Sequence, residues 1–149
     1  MKKVLVLGIG NRLMKDDGIG VHVVEELGKR NADSEVCYVV GETDVGYCLQ
    51  QTEEASTVII VDAAYLGKES GAVYVIPLQK VLQCSLNTTS FHEFDLFREL
   101  KIEGKSMEGM LIGIEPYDIN YGMQLSDVLQ DKFLDIVDKV KNIIPIQGG

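Results

Sequence analysis

Four apolar runs, separated by segments of helix length, constrain the fold of this chain more than any other feature. Two of them are nearly continuous and rich in β-branched residues, VLVLGIG (4–10) and STVIIVDAA (56–64). Such runs are typical of strands that are buried on both faces. Two further runs also read as strands, EVCYVVG (35–41) and GMLIGIEP (109–116). The pattern predicts a sheet that is covered by helices on both sides.

The segments around these runs carry helix signals. Apolar residues recur every four positions over 17–30, which predicts an amphipathic helix, and a short helix is expected over 44–54. Ser90 and Glu93 match a capping box at the start of a helix that contains FHEFDLFREL. Ser126 is a candidate cap for a final helix, which is expected to stop by Pro145.

The direction of the remaining strand follows from the length of its connection. The run AVYVIP (72–77) follows the strand 56–64 after only YLGKESG (65–71). A crossover between parallel strands needs about a dozen residues, so strand 72–77 is expected to run antiparallel. Residues 78–90 show no regular spacing and are expected to be irregular. The predicted fold is a single α/β domain over residues 1–149, a three-layer αβα arrangement with a mostly parallel twisted sheet of about five strands.

Composition excludes some classes of partner. The net charge is −9, which argues against binding to nucleic acid or to an anionic membrane surface. No apolar run approaches the length of a membrane span, so no membrane association is expected. The chain has three cysteines and no CxxC motif, so a disulfide framework is not expected and a reducing, cytoplasmic location is.

The glycine-rich stretch GIGNRLMKDDGIG (8–20) has the position of a phosphate-binding loop but not its pattern. Leu13 stands where a dinucleotide fingerprint needs its third glycine, and no GK[ST] follows. Asp16 and Asp17 at the start of a helix interact favourably with the helix dipole, but they would repel a pyrophosphate there. The stretch is therefore either a capped helix start or part of a different kind of site.

Polar residues follow several of the predicted strands, where ligands of open α/β sheets bind. Asp17, Asp62 and His92 together would make an oxygen, oxygen and nitrogen set that suits nickel or zinc. Spacing alone leaves a structural alternative open, in which Asp62 caps the following loop and His92 is a solvated residue in a first helical turn. The other polar residues near these ends are Asn11, Glu42, Thr43 and Glu115.

The remaining histidine and the cysteines offer weaker candidates. His22 lies inside the first predicted helix between valines and is interpreted as non-functional. Cys84 precedes His92 by eight residues, so a Cys–His hydrolytic pair is conceivable, but no nucleophile elbow surrounds it. Cys37 and Cys48 are expected to fill the core.

The opening stretch LVLGIGNRLMKDDGIGVHVVEEL closely resembles the N-terminal signature of the nickel–iron hydrogenase maturation endopeptidases. That signature is a strand, G-x-G-N, an acidic pair, G-x-G and a helix. VIIVDAA, FHEFDL and IGIEPYDINYGMQLS match the later segments of the family in the same order. The resemblance covers essentially the whole chain. It implies an enzyme that removes the C-terminal extension of a hydrogenase large-subunit precursor after nickel has been inserted.

The resemblance also implies roles for individual residues. Asp17, Asp62 and His92 become the metal-binding and catalytic residues. Nickel is the expected metal, carried by the substrate precursor and used as a recognition element, and other divalent ions are expected to substitute in vitro. The hydrogenase large-subunit precursor is the expected partner. A supporting role in the site loops falls to Asn11, Asp16, Glu42, Thr43 and Glu115.

One segment departs from the family pattern, and two other functions remain as alternatives. Where many members have Asp-Gly-Gly-Thr after the second strand, this chain has Val40, Gly41, Glu42 and Thr43, so Glu42 or Asp44 would have to replace the aspartate. A signalling receiver domain also has an acidic pair and an aspartate that ends its third strand, but its lysine after the last strand is missing here. A related hydrolase of similar fold with another substrate is the second alternative.

Overall fold

The computed structural model describes residues 3–83, 91–103 and 108–145, and it describes 91–95 by their backbone alone. The strands within these residues are β1 (Lys3–Ile9), β2 (Val36–Glu42), β3 (Ala55–Ala63), β4 (Val73–Pro77) and β5 (Glu108–Ile114). The helices are α1 (Ile19–Arg30), α2 (Val45–Thr52), α3 (Leu78–Gln83), α4 (Phe91–Glu103) and α5 (Asp127–Ile143). A short 3-10 helix, Lys15–Gly18, precedes α1.

The described strands form one five-stranded sheet in the order β2-β1-β3-β5-β4. β1 is parallel to β2 and β3, and β3 is parallel to β5. β4 is antiparallel to β5, with Val75 opposite Ile112. The antiparallel direction expected from the short connection 65–71 is therefore confirmed, and so is the three-layer αβα fold class.

Helices cover both faces of the sheet, and this explains the continuous apolar runs. Alternate residues of β1 point to opposite faces. Val6 belongs to one core cluster, which includes residues of α1 and α5. Leu7 belongs to a second cluster, which includes residues of α2, α3 and α4. Since each central strand is buried on both sides, polar residues are confined to its ends.

Two expectations from the sequence are wrong. Residues 78–90 were expected to be irregular, but α3 occupies their first part. Leu78 and Val81 are buried and Leu82 packs partly buried against the same core cluster, but three apolar residues within two turns are too few for a recognisable period. Cys37 was expected in the core but is exposed, because the two faces of the edge strand β2 are unequally covered, whereas Cys48 is buried as expected.

Other expectations concern caps and membranes. Ser126 caps α5, because its hydroxyl oxygen accepts a hydrogen bond from the backbone N–H of Leu129 at 3.2 Å. The proposed Ser90–Glu93 capping box and Cys84 lie outside the described residues and side chains. In the described part of the chain, no helix has both the length and the apolar character needed to cross a membrane.

Candidate active site

Glycines pack the opening loop tightly against its neighbours. A Cβ atom added to Gly10 would lie 2.1 Å from the carbonyl oxygen of Asp17, and one added to Gly20 would lie 2.1 Å from the carbonyl oxygen of Val61 in β3. Gly10 also has a φ of +132°, which disfavours other residues. These glycines therefore serve close contact between backbone segments rather than the binding of a phosphate.

This packing places the two candidate aspartates at the carboxyl ends of the central strands. The 3-10 helix that carries Asp17 contacts β3, and Asp62 is the penultimate residue of that strand, opposite Gly113 of β5. A Cβ on Gly20 would lie 3.0 Å from the Cα of Asp62. Both aspartates are buried. The opening loop thus brings Asp17 to the carboxyl end of the strand that ends in Asp62.

Asn11 orients the carboxylate of Asp17. The backbone N–H of Asn11 donates a hydrogen bond to Oδ2 of Asp17 at 2.9 Å. The side chain of Asn11 turns back on the loop, where its Oδ1 accepts from the N–H of Leu13 at 2.9 Å. A carboxylate held at one oxygen by a backbone donor is fixed in direction. Asn11 therefore orients Asp17 within the opening loop, and its role in a functional site stays a prediction.

His92 is the second residue of α4, but its side chain lies outside what the structure describes. Its participation in a site with Asp17 and Asp62 stays a prediction. Among the side chains that are described, no group of three His, Cys, Asp or Glu residues could hold a metal ion. The set predicted from the sequence needs His92 as its third member.

Asp16 lies at the start of the helical segment as expected, but its side chain does not cap a helix. No side chain caps the 3-10 helix or α1. The fully buried carboxylate of Asp16 instead accepts hydrogen bonds from the backbone N–H groups of Tyr117, Asp118 and Ser126 at 3.0, 2.9 and 2.8 Å, and from Oγ of Ser126 at 2.7 Å. It therefore holds the loop between β5 and α5 against the opening loop.

Glu115 has a similar anchoring role for the connection that follows β3. Its buried Oε1 accepts hydrogen bonds from the N–H of Leu66 at 2.9 Å and of Lys68 at 3.1 Å, and from the hydroxyl of Tyr74. Burial alone would raise the pKa of Glu115, but these hydrogen bonds outweigh it and hold that pKa below its usual value. The pKa of Tyr74 is raised by burial and by the same carboxylate.

The second strand ends in a turn that departs from the family pattern, and its two carboxylates are both engaged. Glu42 has a φ of +51°, in the region that favours glycine. Its carboxylate pairs with Nε of Arg12 at 2.5 Å, and Arg12 also pairs with Glu25 of α1 at 2.8 Å. Asp44 caps α2 by accepting from the N–H of Tyr47 at 3.0 Å. Thr43, between them, is half-buried.

Arg12 is a residue that inspection of the sequence missed. It joins the opening loop, α1 and the β2–α2 turn through one guanidinium group. Hydrogen bonds with Glu25 and Glu42 raise the pKa of Arg12, and the bond to Arg12 lowers the pKa of Glu25. Its only signal in the sequence is that it is one of two basic residues in the stretch 8–20.

Tyr65 shows that the acidic groups of these loops converge. Burial raises the pKa of its phenol, and the negative charges of Asp16, Glu115, Asp17 and Asp118 raise it further. Those four residues come from the opening loop and from the end of β5. Acidic residues from both of these loops therefore lie near Tyr65 at the carboxyl ends of the parallel strands.

Comparison with known proteins shows which family the chain belongs to. The family described as hydrogenase maturation protease (HycI) matches residues 21–143 of the chain. The chain belongs to the hydrogenase maturation proteases. Such a protease is a peptidase, as the sequence predicts, and the receiver-domain alternative is not supported.

Individual relatives match nearly the whole of this chain. This chain is 31% identical to the hydrogenase expression/formation protein HoxM of Cupriavidus necator, over 98% of this chain and 76% of that protein. Its fold is similar to that of the hydrogenase maturating endopeptidase HybD from Escherichia coli, with a TM-score of 0.79, 24% identity and coverage of 95% and 91% of the two chains. HybD from Thermococcus kodakarensis has a TM-score of 0.73 at 25% identity, with coverage of 96% and 99%.

Proposed function

We propose that this protease removes the C-terminal extension of a nickel–iron hydrogenase large-subunit precursor after nickel has been inserted. The observation that carries the proposal is a pair of buried aspartates, Asp17 and Asp62. The opening loop brings Asp17 to the carboxyl end of β3, where Asp62 lies. Nickel belongs to the substrate in this proposal. The precursor partner is supported by the family and by the names of the relatives. The reducing cytoplasm is the expected compartment.

The donor set explains how a metal-loaded substrate is recognised. Two carboxylate oxygens and one imidazole nitrogen suit a borderline divalent ion, and Asp17 and Asp62 supply the carboxylates. His92 is assigned as the nitrogen donor. Burial keeps water from competing for the carboxylates and strengthens their attraction for a cation. The metal held by the precursor would then dock at this edge, and an empty precursor would lack the main attractive element.

The same contact places the scissile bond close to the carboxylates. A metal ion polarises a bound carbonyl or water, and a nearby carboxylate can accept a proton from the attacking water. Asp17 has one oxygen held by the N–H of Asn11, which fixes the direction of its carboxylate. The chain therefore contributes binding, orientation and a proton acceptor, and the substrate contributes the ion.

Cleavage of a precursor tests the proposal directly. The protease is mixed with a large-subunit precursor, with and without nickel, and loss of the extension is followed by mass spectrometry. We expect one cut, only in the nickel-loaded precursor, and a loss of at least about 100-fold in rate for Asp62→Asn. His22→Ala is the matched histidine control for His92→Ala. Cleavage that survives Asp62→Asn but fails in Cys84→Ala would identify a cysteine hydrolase instead.

A further inference from the structure

Asp16 and Asp17 are neighbours in the chain, but their carboxylates are held by different parts of the fold. Oδ2 of Asp17 accepts a hydrogen bond from the backbone N–H of Asn11, within the opening loop, at 2.9 Å. The carboxylate of Asp16 is held by the loop between β5 and α5, with bonds from the N–H of Ser126 at 2.8 Å and from its hydroxyl at 2.7 Å. Both aspartates are buried. The segment that carries Asp17 is therefore anchored, through its neighbour, to a distant part of the chain.

Backbone hydrogen bonds reinforce this anchor on the N-terminal side of Asp17. The N–H of Asp16 donates to the carbonyl oxygen of Asp118 at 3.0 Å, and the N–H of Lys15 donates to that of Gly122 at 2.8 Å. Lys15 also has a φ of +43°, in the left-handed region that favours glycine. Such a conformation persists where the surrounding contacts determine it. We call this set of contacts the loop clamp, and its residues are Lys15, Asp16, Asp118, Gly122 and Ser126.

The short helix Lys15–Gly18 links the position of Asp16 to that of Asp17. Successive residues of a 3-10 helix are rotated by about 120° about its axis, so the two carboxylates leave the helix in different directions. A tilt or rotation of this helix moves both of them. Protein ligands of a metal ion lie within about 0.2 Å of their ideal distance, so a small displacement of the Asp17 carboxylate weakens its bond to an ion.

We infer that Asp16 and Ser126 are positioning residues for Asp17, and that the loop clamp sets the affinity of the site for a divalent metal ion. The inference rests on the proposed function, in which Asp17 binds the nickel ion. Both oxygens of Asp16 already accept hydrogen bonds, so Asp16 acts on the ion through Asp17. Groups that orient a metal ligand without touching the metal commonly change metal affinity by about 10- to 100-fold.

Isothermal titration calorimetry with Ni²⁺ on the whole protease tests this inference. Ser126→Ala removes the hydroxyl bond to Asp16 and leaves the backbone donors of the clamp in place, so it disturbs the fold less than Asp16→Asn does. We expect the Kd for Ni²⁺ to rise about tenfold in Ser126→Ala. Ser126→Thr keeps the hydroxyl and is expected to restore the wild-type Kd.

Thr52→Val is the matched control, because it removes a buried hydroxyl elsewhere. The hydroxyl of Thr52 donates a 2.7 Å hydrogen bond to the carbonyl oxygen of Leu49 in α2. Thr52 lies before the first residue of β3, whereas Asp62 lies near the other end of that strand. We expect Thr52→Val to lower the midpoint of urea unfolding, since a hydrogen bond is lost, and to leave the Kd for Ni²⁺ unchanged.

The possible contrary results separate the inference from the proposed function. Equal Kd values for Ni²⁺ in wild type and Ser126→Ala would overturn the positioning role and leave the proposed function standing. The same conclusion follows if Thr52→Val weakens binding as much as Ser126→Ala does, or if Ser126→Thr does not restore it. If wild type binds no Ni²⁺, or if Asp17→Asn binds it as tightly as wild type, Asp17 is not a metal ligand, and the inference and the metal recognition in the proposed function are both wrong.

Discussion

Asp16 accepts a 2.7 Å hydrogen bond from Oγ of Ser126, while the same hydroxyl oxygen caps α5 by accepting from the N–H of Leu129. The two residues are 110 positions apart in the chain. One buried contact therefore joins the opening loop, which carries Asp17, to the last helix. The candidate site is built on a loop that is fixed at both the first and the last parts of the fold.

Replacement of Asp16 by asparagine tests this contact. The amide group has one acceptor oxygen and presents an NH₂ group to donors that need an acceptor, so we expect Asp16→Asn to destabilise the fold by about 3 kcal/mol. Ser126→Ala removes one of these hydrogen bonds and the cap of α5, and is expected to cost about 1–2 kcal/mol. Urea unfolding measures both. Equal stability of Asp16→Asn and wild type would contradict the anchoring role.

Two glycines of α1 form a matched pair. Gly20→Ala would place a Cβ 2.1 Å from a backbone oxygen of β3, so we expect it to destabilise the fold by about 2–3 kcal/mol. The nearest atom to a Cβ on Gly28 is 3.5 Å away, an ordinary contact. Gly28→Ala is therefore expected to stabilise the helix by about 0.5–1 kcal/mol. Thermal unfolding of both variants measures the difference, and equal effects would show that Gly20 is not required for close packing.

Two substitutions of Glu42 distinguish the effect of its backbone strain from the effect of its ion pair. Glu42→Gly removes the exposed pair with Arg12 but suits the positive φ, whereas Glu42→Ala removes the pair and keeps the strain. We expect the glycine variant to be more stable than the alanine variant by about 1 kcal/mol. Chemical unfolding measures this difference. The reverse order would show that the turn does not hold its positive φ in solution.

The acid stability of the fold should depend on Glu115. Its pKa is lowered in the folded state, so its contribution to stability is present above the ordinary glutamate pKa and is lost as the pH falls through the lowered one. Tyr74→Phe removes one of the hydrogen bonds that lower this pKa. We therefore expect the midpoint of acid unfolding to move to higher pH in Tyr74→Phe, as followed by circular dichroism. Tyr121→Phe, at an exposed tyrosine, is the control.

Local patterns in the sequence were sufficient to predict the strands and the direction of β4, but not the order of the strands in the sheet. The short connection 65–71 predicted the antiparallel strand β4, and apolar runs predicted the strands buried on both faces. The same patterns placed Asp62 at the end of its strand and Asp17 in the loop that follows the first strand. These predictions depend only on neighbouring residues in the chain.

Roles that depend on distant contacts were not predictable in this way. Asp16 has the spacing of a helix cap, and only the folded chain brings Tyr117 and Ser126 to its carboxylate. The pairing of Arg12 with Glu42 likewise joins residues 30 positions apart. The helix α3 has too few turns to show a period. In each case the information lies in the packing of separate elements and not in the local pattern.

The central claim is that Asp17 and Asp62 bind the nickel ion of the precursor. X-ray absorption at the nickel edge measures the ligands of that ion directly, in the loaded precursor alone and after addition of the protease. We predict new oxygen or nitrogen ligands of the nickel ion at about 2.0–2.2 Å when wild-type protease is added. With a protease that carries both Asp17→Asn and Asp62→Asn, the carboxylate ligands should be missing. A nickel environment that is unchanged when wild-type protease binds the precursor would contradict the account.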